Sequence, residues 1–456
     1  MKSYMRYLFR LLFVVSMLWG CQSEPPGKSV LYYEKEWPSV ELKKAVGSIS
    51  AEEAVFHAKT TLADYLDYAA LHNPSLQAAF GKWIESRAKA DRSRWLDDPQ
   101  FAYRYFIEEV ETRVGTQQQS FSLSQKLPWW GKLKLRSEMA RQEARAKRWV
   151  YEKKRLLLFY EVKRAYYEYY YLGKAIAVTR ENKDLLRHLE EIARTRYKAS
   201  KTGHADMIRA QVELEKIKDR LRSLEDIKLP LAANLNASLN RPAHATLPWP
   251  ENITFEESPI AEEKTLAYLQ EKNPELKVID YQAAQSRIGI DLARKEFWPD
   301  ITLGVQFIDT SDLAGGHPDD EGKDPVIAML SLNLPVWRGK YRAGVRQAQA
   351  RYRAVTHQRR ELLNSLITRI KMAAYHFRDA ARKVVLYRDT LLLKVLESYK
   401  VTESAFRSGK GSFNDLVDTQ RIVLEYQLAY ERALTNQAIR RAELEMLYGH
   451  GSTPLE

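Results

Sequence analysis

The chain contains itself twice, and this limits its possible folds more than any other feature. Asn73-Pro74 recurs as Asn273-Pro274, and at the same offset Leu76 matches Leu276, Ser86-Arg87 matches Ser286-Arg287, and Pro99 matches Pro299. Leu127-Pro128-Trp129-Trp130 recurs as Leu334-Pro335-Val336-Trp337. Tyr197, Lys201, Asp206 and Gln211 recur as Phe406, Lys410, Asp415 and Gln420. Solenoid repeats recur every ~20–50 residues, and this unit is far longer. It is one large module, built twice and packed against its own copy.

Each half reads helix, strand, strand, very long helix, turn, helix. In the second half a helical lead-in from about Glu262 reaches Asn273, which can cap a new helix that Pro274 opens. Leu276, Ile279, Ala283, Ile290, Ala293 and Phe297 then fall on helical spacing until Pro299 stops the helix. Ile301, Leu303, Val305 and Phe307 alternate with Thr302, Gly304, Gln306 and Ile308. Ala328, Leu330, Leu332 and Leu334 form a second alternating run. The polar stretch Asp309 to Pro325 joins them as hairpin punctuation. The first half repeats this with Phe101, Tyr103 and Tyr105 on one strand face, Phe121 and Leu123 on the next, and Glu111 to Gln118 as the connecting loop. Strands with one apolar face and one small or polar face fit a transmembrane β-barrel wall. They also fit a water-soluble hairpin with one buried face, and periodicity alone does not separate the two. Four strands are too few to close a membrane barrel, which starts near eight. If the strands cross a bilayer, several chains share one barrel, because an open sheet in lipid leaves unpaired N–H and C=O groups at several kcal/mol each.

No proline interrupts Gly131 to Lys201 or Gly339 to Ser408. Each predicts a helix about 105 Å long at ~1.5 Å per residue, which needs a packing partner along its length. Leu363, Ile370, Phe377 and Val384 recur every seven residues, with Ile367, Ala374 and Ala381 in the same register, the seam of a coiled coil. The first long helix carries Tyr166, Tyr167, Tyr169, Tyr170 and Tyr171, expected half-buried with wet hydroxyls. Related turns end both helices. Gly409 can close one helix and Ser412 cap the next, and Pro230 should kink or break the returning helix of the first half. The organisation is a signal segment at 1–20, a tether at 21–60, a first repeat at 61–240 and a linker at 241–260. A second repeat follows at 261–448 and a tail at 449–456. Within the repeats the hairpins are placed at 99–127 and 299–334, the long helices at 131–201 and 339–408, and the returning helices at 205–239 and 413–447.

Lys2, Arg6 and Arg10 precede the apolar run Leu11 to Gly20, the layout of a secretory signal. The run is shorter than the ~20 residues that span a bilayer. The single cysteine, Cys21, excludes an internal disulfide and stands where a bacterial lipobox places its acylated residue. Gln22 is not the Asp of an inner-membrane retention signal, so the anchor is expected in the outer membrane. One acyl chain alone anchors only marginally. The formal net charge of +13 comes from basic residues interleaved with acids, as at Glu181-Asn182-Lys183-Asp184. That pattern reads as solvated helix faces, and no nucleic-acid partner is expected.

These features together resemble the TolC-like outer-membrane factors, the exit ducts of tripartite efflux pumps and of type I secretion. The resemblance covers nearly the whole mature chain. It rests on the duplication, the two hairpins, Leu-Pro-Trp-Trp-Gly-Lys at 127–132 and Gly-Lys-Gly-Ser-Phe-Asn-Asp-Leu at 409–416. With Cys21 it looks most like the lipoprotein branch of RND-type systems. The fold so implied is mainly α with a small β part: a homotrimer with a 12-stranded outer-membrane β-barrel continuing into a periplasmic coiled-coil α-barrel. The implied partners are a periplasmic membrane-fusion adaptor, through it an RND-type inner-membrane transporter, and outer-membrane lipid.

No catalytic constellation appears. His204, His317, His357 and His376 are scattered without metal-ligand spacing, and no Gly-rich phosphate loop is present. An enzyme, a cofactor and a bound metal are therefore not expected. Asp415 and Asp418 lie at i and i+3 on one helix face just after a tip, where they complement the helix dipole. The resemblance implies that they ring a closed periplasmic gate. Asp206 matches Asp415, but Arg209 stands where Asp418 stands, so an Arg209–Asp418 pair between neighbouring tip helices is expected. The resemblance further implies that the tips dock the adaptor through Ser200, Thr202 and Gly203 in the first turn and Gly409, Lys410, Gly411 and Ser412 in the second. A soluble coiled-coil scaffold would explain the long helices, but not two hairpins at matched positions or the export signal.

Overall fold

The computed structural model describes residues 56–57, 60–199, 203–250, 253, 255, 269–311 and 323–449. The expected signal segment, Cys21 and most of the tether lie outside these residues, as do Ser200, Thr202 and the tail beyond 449. The chain divides after Val55, and the unit beginning at Phe56 holds both repeats. Its first repeat comprises α1 (Leu62–His72), α2 (Pro74–Arg92), β1 (Gln100–Thr112), β2 (Gly115–Leu127), α3 (Lys132–Lys198), α4 (His204–Asp226) and α5 (Lys228–Ser238). Its second comprises α6 (Pro274–Lys295), β3 (Ile301–Thr310), β4 (Val326–Leu332), α7 (Arg338–Leu386), α8 (Leu392–Arg407) and α9 (Phe413–Tyr448).

The Asn-Pro motif closes each module by one contact made twice. Asn73 Oδ1 accepts the Leu76 N–H at 3.1 Å, and Asn273 Oδ1 accepts those of Glu275 and Leu276 at 2.9 and 3.1 Å. Each asparagine thereby satisfies helix-start donors that have no partner within the helix. Its Nδ2 then donates to a carbonyl at the end of its own repeat, Asn73 to Ser238 at 3.1 Å and Asn273 to Leu447 at 2.7 Å. One side chain thus caps the helix leading to the hairpin and ties it to the last helix of the module.

α3 runs for 67 residues, about 100 Å at ~1.5 Å per residue, and packs along α2, α4, α6 and α9. Tyr167 and Tyr171 are half-buried as expected, but three of its tyrosines are more buried. Tyr169 is 1% exposed, and Tyr166 and Tyr170 are also buried. The polar ends are satisfied inside: Tyr169 Oη donates to Leu247 O at 3.3 Å and Tyr170 Oη to Glu431 at 3.2 Å. The inter-repeat segment covers Tyr169, with Trp249 stacked on it at 4.5 Å between ring centroids. Gly173 permits this approach, since a Cβ there would meet Trp249 Cε3 at 2.8 Å. The heptad seam of α7 is a core: Leu366, Ile370, Ala374 and Phe377 pack with Leu276, Leu444 and Leu447, and Leu363 and Ile367 border them.

Two local readings are corrected, and the break expected from Pro230 is located. The second long helix does not run unbroken from 339 to 408: Tyr387–Leu391 forms a π turn between α7 and α8. It lies where the inter-repeat segment packs on the helix, Phe255 clustering with Tyr387 and lying 5.2 Å beneath the Arg388 guanidinium. The returning helix of the first repeat breaks at Ile227, three residues before Pro230. A proline clashes with the carbonyl four residues earlier, here Asp226, and is tolerated in a first turn. The break therefore moves upstream and leaves Pro230 at the start of α5. The first hairpin has no loop over Glu111–Gln118. Its strands continue to a turn at Arg113-Val114, where Thr112 pairs with Gly115.

Among the described residues the strands form one antiparallel sheet in the order β1-β2-β3-β4. The two hairpins join through β2 and β3, which leaves β1 and β4 as edges. Asn273→Ala is expected to destabilise the fold by ~1–3 kcal/mol through loss of a cap and a buried hydrogen bond. Asn73→Ala, with its longer bond to Ser238, should cost less. Thermal unfolding in detergent, followed by circular dichroism, checks the order.

Candidate functional site

The sheet has two chemically distinct faces. Residues directly opposite on antiparallel strands share a face, so the register aligns Phe101, Leu123, Val305 and Ala328 in one row and Tyr103, Phe121, Phe307 and Val326 in the next. Gln125, Leu303 and Leu330 follow, then Leu127, Ile301 and Leu332. The opposite face carries Ala102, Ser122, Gln306 and Ile327, then Gln100, Ser124, Gly304 and Met329, then Lys126, Thr302 and Ser331. The apolar rows are not covered by the helices: Phe101, Tyr103, Leu123, Leu303, Val305 and Leu330 are all exposed. Above the last apolar row the same face turns polar, with Gln119 Nε2 donating to Asp309 at 2.7 Å. At the helix end of the sheet, Trp95, Trp130, Trp298 and Trp337 are exposed. A band of apolar side chains ending in tryptophans matches the girdled outer surface of a membrane barrel.

Where β2 turns into α3, the Pro-Trp-Trp-Gly-Lys exit folds over the approach to β3. Lys132 is only 1% exposed. Its Nζ donates to Asp300 Oδ1 at 2.8 Å and to the Trp298 carbonyl at 2.9 Å, with Glu296 at 3.4 Å. The Trp129 N–H donates to the same Asp300 oxygen at 3.0 Å, and Trp129 stacks on Trp298 at 5.0 Å. Gly131 has φ of +86°, the left-handed turn that starts α3. A buried ammonium needs this full set of acceptors.

The opposite end of the helices holds the tip residues. Gly409, at φ +80°, closes α8, and the N–H groups of Lys410 and Gly411 donate to Ala405 O at 2.9 and 3.0 Å. Ser412 Oγ accepts the Asp415 N–H at 3.1 Å and caps α9. Gly203 caps α4, and its carbonyl accepts the Asp206 N–H at 3.2 Å. Gly203, Gly409, Lys410 and Ser412 are exposed. The two tips of one chain share a core of Leu189, Ala193, Ala210, Phe406, Phe413 and Leu416. Arg196 donates to Phe406 O at 2.6 Å across it.

Asp415 and Asp418 lie together on the exposed side of α9, while Leu416 and Val417 between them are buried. The expected Arg209–Asp418 pair is not made within the chain. Asp418 instead pairs at 3.0 Å with Arg421, one turn along its own helix. Arg421 also forms a two-pronged pair with Glu213 of α4, Nε donating at 3.0 Å. Arg209 is exposed and separate from this cluster. Glu213, itself buried, also accepts from Lys216 at 2.9 Å. The Arg421 hydrogen bonds hold its carboxyl below the usual glutamate range, outweighing the upward push of burial. Beside it, buried Gln420 donates to Asn182, which donates to Gln427 at 2.9 Å. This α3–α4–α9 network is not legible in the sequence, although Arg421 stands at i+3 from Asp418 and Gln420 is one of the duplicated positions. Among the described residues no cluster of His, Cys, Asp and Glu is placed to hold a metal, and no helix is long and apolar enough to cross a membrane.

The chain belongs to the outer membrane efflux protein family, whose model matches residues 65–241 and 266–450, one segment for each repeat. It is an outer-membrane exit duct for efflux. Among solved structures it is similar to the outer membrane protein VceC of Vibrio cholerae (16% identity, 86% of this chain and 96% of that one, TM-score 0.73). It is also similar to the CmeC outer membrane channel of Campylobacter jejuni (14%, 89% and 91%, 0.71) and to the open state of the MtrE outer membrane channel of Neisseria gonorrhoeae (21%, 89% and 94%, 0.71). At these identities the likeness establishes the fold, mainly helical with a small antiparallel sheet. The family and these neighbours are channels rather than enzymes. Comparison with curated proteins gives no match.

Arg421→Ala is expected to loosen the tip by about 1–2 kcal/mol, since the half-exposed arginine is partly screened. Acid should act in the same direction. A carboxyl whose folded pKa is depressed contributes its full stabilisation above the unfolded value, ~4.3, and loses it as pH falls through the lower folded value. Protease sensitivity of the α4 and α9 starts, measured from pH 7 to pH 3, checks both.

Proposed function

We propose that three copies of this chain close one barrel of twelve strands in the outer membrane, continued by their helices into a conduit across the periplasm. The observation that carries this reading is the sheet. It has one apolar face, one polar face and two unpaired edges, and lipid tolerates the first but not the last. Joining β4 of one copy to β1 of the next removes every edge, and three copies exceed the minimum of about eight strands. The polar face, rich in Ser, Thr, Gln and Gly, then lines a wet lumen.

The tips face the inner membrane in this arrangement. Gly203 and the Gly409-Lys410-Gly411-Ser412 turn present exposed backbone for a periplasmic adaptor, with Ser200 and Thr202 completing the first turn. The adaptor connects the duct to an inner-membrane pump of the RND type. Three pairs of Asp415 and Asp418 at the narrow end form an acidic ring that favours cations. Asp206 and Arg209 belong to the same constriction, where Arg209 can reach Asp418 of an adjacent copy. Cys21, after its apolar leader, carries the lipid that anchors the chain to the outer membrane, with the barrel supplying the second contact that a lone acyl chain needs.

Substitution on the two sheet faces separates this duct from a soluble scaffold. Val305→Arg, in the middle of the apolar face, should cost ~2–4 kcal/mol of membrane insertion. It should abolish recovery from the outer-membrane fraction. Ser122→Arg, on the polar face, should insert normally and reduce single-channel cation conductance. Equal tolerance of both, with the protein in the aqueous fraction, would contradict the duct.

A further inference from the structure

Duplication supplies two strand-to-helix junctions per chain, yet only one is complete. In the complete one, the exit from β2 closes on the approach to β3, and Lys132 is buried between the Trp298 carbonyl and Asp300. The second junction would join the exit from β4, Leu334 to Lys340, to the approach to β1, residues 93–100. These segments cannot meet within one chain, because β4 and β1 are the two edges of the sheet. Both halves stand bare. Trp337 is 78% and Trp95 64% exposed, and Lys340, Asp97, Asp98 and Gln100 are exposed as well. Among the described residues Lys340, Asp97 and Asp98 enter no ion pair.

The chemistry of the bare halves parallels the complete junction, with one residue, Arg338, inserted before the glycine and α7 already begun there. Lys340 follows Gly339 after Leu-Pro-Val-Trp-Arg, as Lys132 follows Gly131 after Leu-Pro-Trp-Trp. On the accepting side, Trp298, Pro299 and Asp300 correspond to Asp98, Pro99 and Gln100. The acid has moved across the proline, from the Asp300 position to the Trp298 position. An amide oxygen takes its former place. A lysine entering this second pocket therefore still finds one carboxylate, one side-chain oxygen and the backbone carbonyl of residue 98.

We infer that Lys340 of one copy inserts between Asp98 and Gln100 of the next, and that this intermolecular clasp completes the second junction. The inference rests on the closure of the barrel by copies of the chain proposed above. It commits the partner surface to a second copy of this chain: one with a sheet edge, an acidic approach and a lysine exit in the same order. Such a head-to-tail contact closes into a ring when the rotation permits. Each ring then alternates intrachain Lys132 clasps with interchain Lys340 clasps at the base of the strands.

The test uses the full chain extracted in detergent, with oligomer retention on a semi-native gel timed at a fixed raised temperature. Lys340→Glu and Asp98→Lys should each shorten the dissociation half-time at least tenfold. The double variant Lys340→Glu with Asp98→Lys should restore it to within about threefold of the parent. Both sites are exposed in the single chain, so circular dichroism of each variant should match the parent. Single variants as durable as an assembled parent would overturn the clasp and leave barrel closure standing. A double variant weaker than either single would do the same. A parent that is itself a lone chain in detergent would overturn closure and the clasp together.

Discussion

An open strand edge is the constraint on which the rest of this molecule depends. The sheet offers one apolar and one polar face, and both faces have an obvious solvent. The edges of β1 and β4 have none in a bilayer, where no water satisfies their N–H and C=O groups. Duplication within the chain settles one seam, β2 against β3, over ten paired positions. Under the proposed closure the remaining seam is settled between chains. Oligomerisation is therefore a condition for the strands to occupy membrane at all.

The helices carry that constraint away from the membrane. Buried Lys132 joins the end of one hairpin to the start of the other, and fixes where strand direction becomes helix direction. A buried ion pair is weak evidence for net stability, because desolvation offsets much of its attraction. Its value here is geometric: a lysine with three oxygen partners has one place to be. Farther along, the asparagine ties hold each module shut, and the shared core of the tips joins the modules at their far end. The repeats are not equivalent at that end. Arg209 replaces the second tip aspartate of α4, while Arg421 bridges Asp418 to Glu213 between the modules. The tips are thus an asymmetric pair on a nearly symmetric frame.

Sequence periodicity exposes what is local. The alternation of β2, β3 and β4 reads directly, as do the Asn-Pro caps and the Gly409 and Ser412 turn, because each depends on residues a few positions apart. The first hairpin reads with too long a loop because Glu111 to Gln118 is polar on both faces, so alternation gives no sign that the strands continue. The tyrosines of α3 are amphipathic, and their burial depends on distant segments, Trp249 and Leu247 for Tyr169 and Glu431 of α9 for Tyr170. The π turn at Tyr387 likewise lies under Phe255. Lys132 with Asp300, and Arg421 with Glu213, are separated by 168 and 208 residues. Contacts at such range leave no periodic trace, although Lys132 sits inside a motif that the duplication itself marks.

The most direct test is the stoichiometry and strand order of the particle extracted from outer membranes, determined by single-particle imaging. Three chains are expected, with β1 of each hydrogen-bonded to β4 of a neighbour and the row containing Val305 turned toward detergent. A stable single-chain particle, free of detergent and with that row packed onto its own helices, would contradict shared closure of the barrel.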